Sequence, residues 1–301
     1  MVTMPPYLQP GDTVGLVCPG GYMAFEKAQA CIRQLNEWGY EVKPGFTLGS
    51  GSDNYFSGPD EDRLKDLQHM LDDDQVKAVL CARGGYGVGR IIDKINFKKF
   101  RKQPKWIIGF SDITILHSYL ITNENIASLH APMAGAFNEQ DAAPYLQSIR
   151  NALEGKKIYY LCDPHPFNRR GEAIGELVGG NLALLAHGIG SSFEIKTRGR
   201  ILFIEDVGEY LYNIDRMLHQ LKNAGKFNKL AGLIVGGFTE MKDTERPFGS
   251  VVEEIIRDMM KDFDFPVCFG FPVGHQKENA ALKIGVGYKL KVGRNKTALE
   301  E

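Results

Sequence analysis

Ser111 follows the apolar run Trp106-Ile107-Ile108-Gly109-Phe110, and Asp112-Ile113-Thr114 opens a helical pattern after it. A serine at a sharp strand-to-helix turn has its Oγ lifted above the sheet edge. The next backbone N–H can then face a developing oxyanion, as in a nucleophile elbow. The second glycine of G-x-S-x-G is missing, because Ile113 stands there. The same residues also describe a serine N-cap, with Asp112 favoured by the helix dipole. Two later positions bear on the choice. The run Ile201-Leu202-Phe203-Ile204 ends in Glu205-Asp206, and the run Val267 to Val273 ends in Gly274-His275-Gln276. A hydroxyl attacks poorly unless a base takes its proton, and an imidazole needs a carboxylate to fix its tautomer. Ser111, Glu205 and His275 supply those three groups, in that chain order. Taken singly, Glu205 and His275 equally fit surface or capping positions.

The stretch Arg83-Gly84-Gly85-Tyr86-Gly87-Val88-Gly89-Arg90 stands after a strand and before an expected helix, where a phosphate loop would be. Its spacing fails both fingerprints. Arg90 occupies the third glycine position of G-x-G-x-x-G, and Arg90-Ile91 replaces the Lys-Ser/Thr pair of a P-loop. What remains is a tight turn, or a set of backbone N–H groups able to hold negative charge. The seven histidines are dispersed without H-E-x-x-H, so no metal is expected.

These groups need elements to position them. Strand-like Thr13–Cys18, Tyr40–Val42, Val76–Ala82 and Trp106–Phe110 alternate with helical patterns over Phe25–Leu35, Leu64–Leu71, Val88–Ile95 and Ile113–Ile121. That alternation predicts a parallel sheet covered on both faces. The half after Glu172 is richer in strand, with helices expected at Ile214–Leu221 and Val251–Met260. The expected fold class is α/β: an N-terminal parallel-sheet α/β domain at 1–155, a linker at 156–171, and a smaller strand-rich α+β domain at 172–301.

At 301 residues, 43% hydrophobic and 24% charged, the chain can build a real core, which excludes disorder. Lys+Arg of 36 against Asp+Glu of 37 gives no electrostatic case for nucleic acid or an anionic membrane. No apolar stretch reaches transmembrane length, and no signal peptide is expected at the N-terminus. Five scattered cysteines without a CxxC pair fit a reduced cytoplasm.

Several stretches resemble the LD-carboxypeptidase family of serine peptidases, the murein tetrapeptide carboxypeptidases. They are Arg83-Gly84-Gly85-Tyr86-Gly87, Gly109-Phe110-Ser111-Asp112, Gly179-Gly180-Asn181-Leu182, Leu202-Phe203-Ile204-Glu205-Asp206, Ile214-Asp215-Arg216-Met217-Leu218 and Phe271-Pro272-Val273-Gly274-His275. The resemblance implies a Ser111–Glu205–His275 triad, with the amides of Gly85 and Asp112 as oxyanion donors and a site in the groove between the domains. Arg83, Tyr86 and Asn181 are expected among the substrate contacts. The implied reaction releases a C-terminal D-alanine from murein tetrapeptides during cell-wall recycling, with no metal or organic cofactor. The expected partners are a small peptide substrate and a second copy of the chain in a homodimer, with no nucleic acid and no membrane. One departure is Lys283, where the family usually has proline. Two alternatives stay open. The related branch of microcin-C-immunity peptidases cleaves aminoacyl-nucleotide amides and stacks a base on an aromatic, for which Tyr210 or Tyr212 would serve here. A non-catalytic module gripping a small ligand would need no nucleophile.

Overall fold

A computed structural model describes residues 2–301. The chain divides into two compact units: residues up to Lys156 with Ala280–Lys283, and Lys157–Asn279 with Ile284–Glu301.

In the first unit, short apolar runs become strands and amphipathic runs become helices. The elements are β1 (Thr13–Val17), α1 (Phe25–Glu37), β2 (Glu41–Pro44), α2 (Asp60–Asp72), β3 (Val76–Cys81), α3 (Lys98–Lys102), β4 (Trp106–Gly109), α4 (Thr114–Tyr119), β5 (Ser128–His130) and α5 (Ala143–Leu153). The sheet order is β2-β1-β3-β4-β5, with parallel pairing throughout. β1, β3 and β4 are buried almost without alternation, as strands covered on both faces must be. α1 turns Ala28, Cys31 and Leu35 inward at helical spacing. β2 is laid on one side of β1 and β3 on the other, so the loops after β1, β3 and β4 are neighbours at the carboxyl end of the sheet. That is where such sheets build sites.

One expected element is different. Val88–Ile95 is not an α-helix but two single 3₁₀ turns, Val88–Arg90 and Ile92–Lys94. Buried Val88, Ile91, Ile92 and Ile95 recur at a spacing that tight turns satisfy as well as a longer helix would.

The second unit contains β6 (Tyr159–Cys162), β7 (Gly171–Asn181), α6 (Leu182–His187), β8 (Ile201–Val207), α7 (Leu211–Asn223), β9 (Gly232–Thr239), α8 (Val252–Met259) and β10 (Val267–Cys268). The chain then passes through β11 (Leu282–Ile284), most of which belongs to the first unit, before β12 (Gly287–Val292) and β13 (Thr297–Glu300). The seven-stranded sheet runs β10-β9-β8-β7-β12-β13-β6, while β11 extends the first sheet beyond β5. The β7–β10 half pairs in parallel and the β12, β13 and β6 half antiparallel. β12 alternates exposed and buried residues, with one face solvated, whereas β8 is buried along nearly its whole length. The 156–171 segment, expected as a linker, carries β6, whose Cys162 registers with Thr297. Among the described residues no helix is long and apolar enough to cross a membrane.

Candidate active site

Ser111 sits immediately beyond β4 at φ +62°, a region that non-glycine residues seldom occupy. A strained residue held between a strand and a helix is what lifts a hydroxyl out of the backbone path. Ser111 does not act as an N-cap: the turn at Ser111–Ile113 has no side-chain cap, and neither has α4. The missing second glycine is explained by the first. A Cβ on Gly109 would stand 2.8 Å from Ile113 Cγ1, so Gly109 leaves the space that Ile113 fills. Beneath the elbow, buried His117 reaches the Gly109 carbonyl with Nε2 at 2.9 Å and Ser128 Oγ with Nδ1 at 2.8 Å. Burial drives its pKa down to about 4, against the Gly109 hydrogen bond, so the ring is a neutral strut at physiological pH.

The glycine-rich turn after β3 packs directly on the elbow. A Cβ on Gly84 would lie 2.9 Å from Ser111 Cβ, 3.1 Å from its Oγ and 3.2 Å from Asp112 N, so only glycine allows this approach. The Asp112 side chain holds the turn in place: its Oδ2 accepts from Val88 N at 2.8 Å. Burial raises this carboxyl to about 6, opposed by the Val88 amide and the charge of Arg63. Arg63, wholly buried on α2, ties two of the three loops together. Its Nη1 donates to Pro19 O at 2.5 Å and to Gly87 O at 3.0 Å, and Nη2 pairs with Asp60. Among the described residues, the amides of Gly85 and Asp112 donate to no other residue. Arg83 is exposed and gives one bond, from Nη1 to Tyr22 O at 2.8 Å. Beside it lies a cavity of about 590 Å³ lined by Met23, Lys27, Arg83, Phe110, Met133 and Glu139 among others. Tyr86, at the tip of the turn, is 51% exposed. A second cavity of about 600 Å³, around Asp12, Val76 and Lys105, opens where the strands begin, away from Ser111.

In the second unit, Glu205 and His275 meet. His275 Nδ1 lies 2.6 Å from Glu205 Oε2, and the same oxygen accepts the His275 amide at 3.0 Å. As a carboxylate, Glu205 can only accept, so Nδ1 carries the proton and Nε2 keeps its lone pair. Burial, the largest influence on the imidazole, acts to lower its pKa. The Glu205 hydrogen bond and the charges of Glu205, Asp206 and Glu240 outweigh it, and the net shift is upward. Glu205 is fully buried at a bulge, where the β8–β9 register slips between Ile204 and Asp206. A bulge re-aims side chains, and here neighbouring carboxylates are both buried yet serve different partners. Asp206 accepts from Asn181 Nδ2 at 2.8 Å, Ala183 N at 2.9 Å and Val207 N at 2.8 Å. Burial raises it to about 6, partly offset by the Val207 and Asn181 bonds.

The His275 turn is fixed on every side. Gly274 has φ +103°, and a Cβ there would stand 2.5 Å from Glu205 Cβ. Gly274 N donates to Asn279 Oδ1 at 2.9 Å, and Thr239 Oγ1 donates to His275 O at 2.5 Å. Asn181, expected to touch substrate, is engaged at both ends: its Oδ1 caps α6 through Leu184 N at 3.2 Å while Nδ2 holds Asp206. A side chain at a strand-to-helix junction meets the helix's orphan amides. Arg63 and His117 were not singled out from sequence, and the Asp112 carboxylate was expected to face the helix dipole rather than to hold the glycine-rich turn. Nothing in the local pattern separates a buried arginine in Asp60-Glu61-Asp62-Arg63 from a solvated one.

Comparison with known proteins places the chain in a family. The model of the LD-carboxypeptidase N-terminal domain covers residues 14–131, and that of the C-terminal domain residues 174–290. The chain belongs to the LD-carboxypeptidase family. It is 38% identical, over 98% of its length and 94% of the relative's, to a probable murein peptide carboxypeptidase of Bacillus subtilis. It is 29% identical to the murein tetrapeptide carboxypeptidase of Pseudomonas aeruginosa, over 92% of both chains. The crystal structure of muramoyltetrapeptide carboxypeptidase from Oxalobacter formigenes superposes with a TM-score of 0.87 at 28% identity, covering 96% of this chain and 98% of that one. A microcin C7 self-immunity protein shares the fold, with a TM-score of 0.87 at 20% identity over 98% of this chain and 97% of that one. As a member of the family the chain is a peptidase, a hydrolase of the carboxypeptidase kind. Among the described residues, no group of three or more His, Cys, Asp or Glu is placed to hold a metal ion.

Proposed function

We propose that the protein is a serine LD-carboxypeptidase that removes C-terminal D-alanine from murein tetrapeptides in cytoplasmic cell-wall recycling, and that Ser111, Glu205 and His275 are its triad. The observation that carries the assignment is the His275–Glu205 pair at 2.6 Å, with the carboxylate buried, which leaves an imidazole lone pair on Nε2. Ser111, at φ +62° and capping no helix, supports the nucleophile role.

In this reading His275 Nε2 takes the Ser111 proton as Oγ attacks the carbonyl that precedes the terminal D-residue. The amides of Gly85 and Asp112 receive the oxyanion; one such donor is worth about 10²–10³ in rate. Imidazolium, stabilised by Glu205, then protonates the departing amine of D-alanine. Water, deprotonated by the same histidine, releases the tetrapeptide's remainder from Ser111. Arg83, with one of its five hydrogens committed to Tyr22, is suited to the terminal carboxylate. The homodimer belongs to the same proposal.

The test is incubation with a murein tetrapeptide and mass analysis for loss of one alanine, with Ser111→Ala alongside. Turnover should vanish in the variant while the fold and substrate binding persist; wild-type turnover in Ser111→Ala refutes the nucleophile. A fluorophosphonate label on Ser111 separates an enzyme from a non-catalytic binding module. A second substrate reading is favoured by Tyr210 and Tyr212, which are 39% and 40% exposed and stacked with centroids 5.4 Å apart. An aminoacyl-nucleotide amide in a parallel assay decides it: faster cleavage than the tetrapeptide would place the protein with the microcin-C-immunity peptidases.

A further inference from the structure

The seven-stranded sheet of the second unit has β10 at one edge and β6 at the other, yet these edges meet. Arg169 and Val267 exchange backbone hydrogen bonds of 2.9 and 3.1 Å. Asn168 Oδ1 accepts from Phe269 N at 2.8 Å, and His165 stacks on Phe269 with centroids 5.4 Å apart. The segment that follows β6 therefore lies along β10 and closes the curled sheet on itself. At that seam the last residue of β6, Cys162, faces the last residue of β10, Cys268, with the sulfurs 3.8 Å apart. Both are free thiols; Cys162 is half-buried and Cys268 buried. The peptidase mechanism uses neither.

We propose that Cys162 and Cys268 are a peroxide-reactive dithiol, in which Cys162 is oxidised first and Cys268 resolves it to a disulfide across the sheet seam. The Cys162 thiolate attacks one oxygen of a peroxide. The O–O bond breaks, hydroxide leaves, and Cys162 becomes a sulfenic acid. Cys268, having lost its proton, attacks that sulfur and expels the second hydroxide. Two thiols give up two electrons and two protons, and hydrogen peroxide becomes two waters. The sulfurs need to close by less than about 2 Å to reach bonding distance.

The order follows from the surroundings of each sulfur. The Cys268 S–H and the Thr297 hydroxyl both favour negative charge on Cys162 and hold its pKa below the usual cysteine value, against burial. Its neighbour's sulfur, with burial, pushes Cys268 the other way. The outer thiol is thus the nucleophile, and reactivity follows thiolate character and access. Cys18, Cys31 and Cys81 are buried thiols raised by burial, and they serve as internal controls.

The full chain is treated with equimolar hydrogen peroxide, the peroxide is removed, the remaining thiols are blocked with iodoacetamide in denaturant, and an unreduced tryptic digest is mapped by mass. The expected result is one linked peptide pair joining Cys162 to Cys268, with the other three of the five cysteines alkylated. The thermal midpoint should rise by several degrees, because the cross-link closes a long loop in the unfolded chain. Dithiothreitol should restore all five thiols and the original midpoint. In Cys268→Ala the link should be absent, and Cys162 should stop at a sulfenic acid that takes up dimedone. Five alkylated cysteines after peroxide would overturn the proposal. So would Cys162 linked to a second copy, or Cys162 driven to sulfinic acid beside an alkylated Cys268. The wild-type map decides the matter even where the variant fails to fold.

Discussion

Replacing Glu205 with glutamine keeps the shape of the side chain and removes its charge. In the native protein Oε2 accepts two hydrogens from His275, at 3.0 Å from the amide and 2.6 Å from Nδ1. A glutamine can reproduce this only with its oxygen in the Oε2 position, which leaves NH₂ where Oε1 is buried without a hydrogen-bond partner. That arrangement costs about 1–3 kcal/mol for the unsatisfied group. With the amide reversed, NH₂ faces Nδ1, the imidazole proton moves to Nε2, and the base is lost. Either way the imidazolium of the transition state forgoes its counter-charge. Triads that lose this carboxylate charge fall by about 10⁴ in kcat, or about 5 kcal/mol of barrier. We expect kcat to fall about 10³–10⁴-fold, with KM little changed. The pH profile supplies an independent sign. His275 is raised above an ordinary imidazole, and only its neutral form can serve as the proposed base. The acid limb of kcat/KM should therefore lie above pH ~6.5 in the wild type and move to lower pH in Glu205→Gln. The assay is D-alanine release from a murein tetrapeptide between pH 5 and 9. Asp206→Asn is the control: it should lose stability through the Ala183 and Asn181 bonds but lose far less kcat. A crippled Asp206→Asn beside a near-silent Glu205→Gln would refute the choice of carboxylate.

Gly84→Ala should lower kcat about 10²-fold while leaving the fold intact, since its Cβ would press Ser111 from 2.9 Å and small misplacements of reacting groups cost that much; unchanged turnover would show that the turn does not set the serine. Arg63→Met should destabilise the protein by about 3–5 kcal/mol by leaving Asp60 and two loop carbonyls without their buried cation, read by urea denaturation; a loss under about 1 kcal/mol would contradict the tie between the loops. Asp112 has a folded pKa near 6 against a reference of 3.8. The folded state thus binds more protons than the unfolded one between those values, and stability is lost as pH rises through that window, by up to about 3 kcal/mol. Asp112→Asn should flatten that part of the stability–pH curve, and parallel curves for variant and wild type would exclude Asp112 as the source.

What the sequence by itself determined is local. β1, β3, β4 and β8 are runs of apolar residues whose faces are both covered, so their pattern is legible without knowing the neighbours. Ser111 and Glu205 were legible because each stands where such a run ends, where polar groups can emerge; the apolar run before His275 is a strand only at Val267–Cys268, and His275 lies in the turns beyond it. Hydrophobic periodicity reports which way a side chain faces but not what it meets. Only the tertiary structure placed β6 inside the expected linker and returned Ala280–Lys283 to the first unit, since pairing partners far apart in sequence leave no local mark. It also reduced Val88–Ile95 to two 3₁₀ turns. The bonds of Asn181 to the α6 amide and to Asp206 likewise exist only once the helix is in place. The fates of Arg63, Asp112 and the bulge at Glu205 were decided the same way. A buried charge is tolerable only with particular through-space partners, and those partners exist only once the strands have assembled.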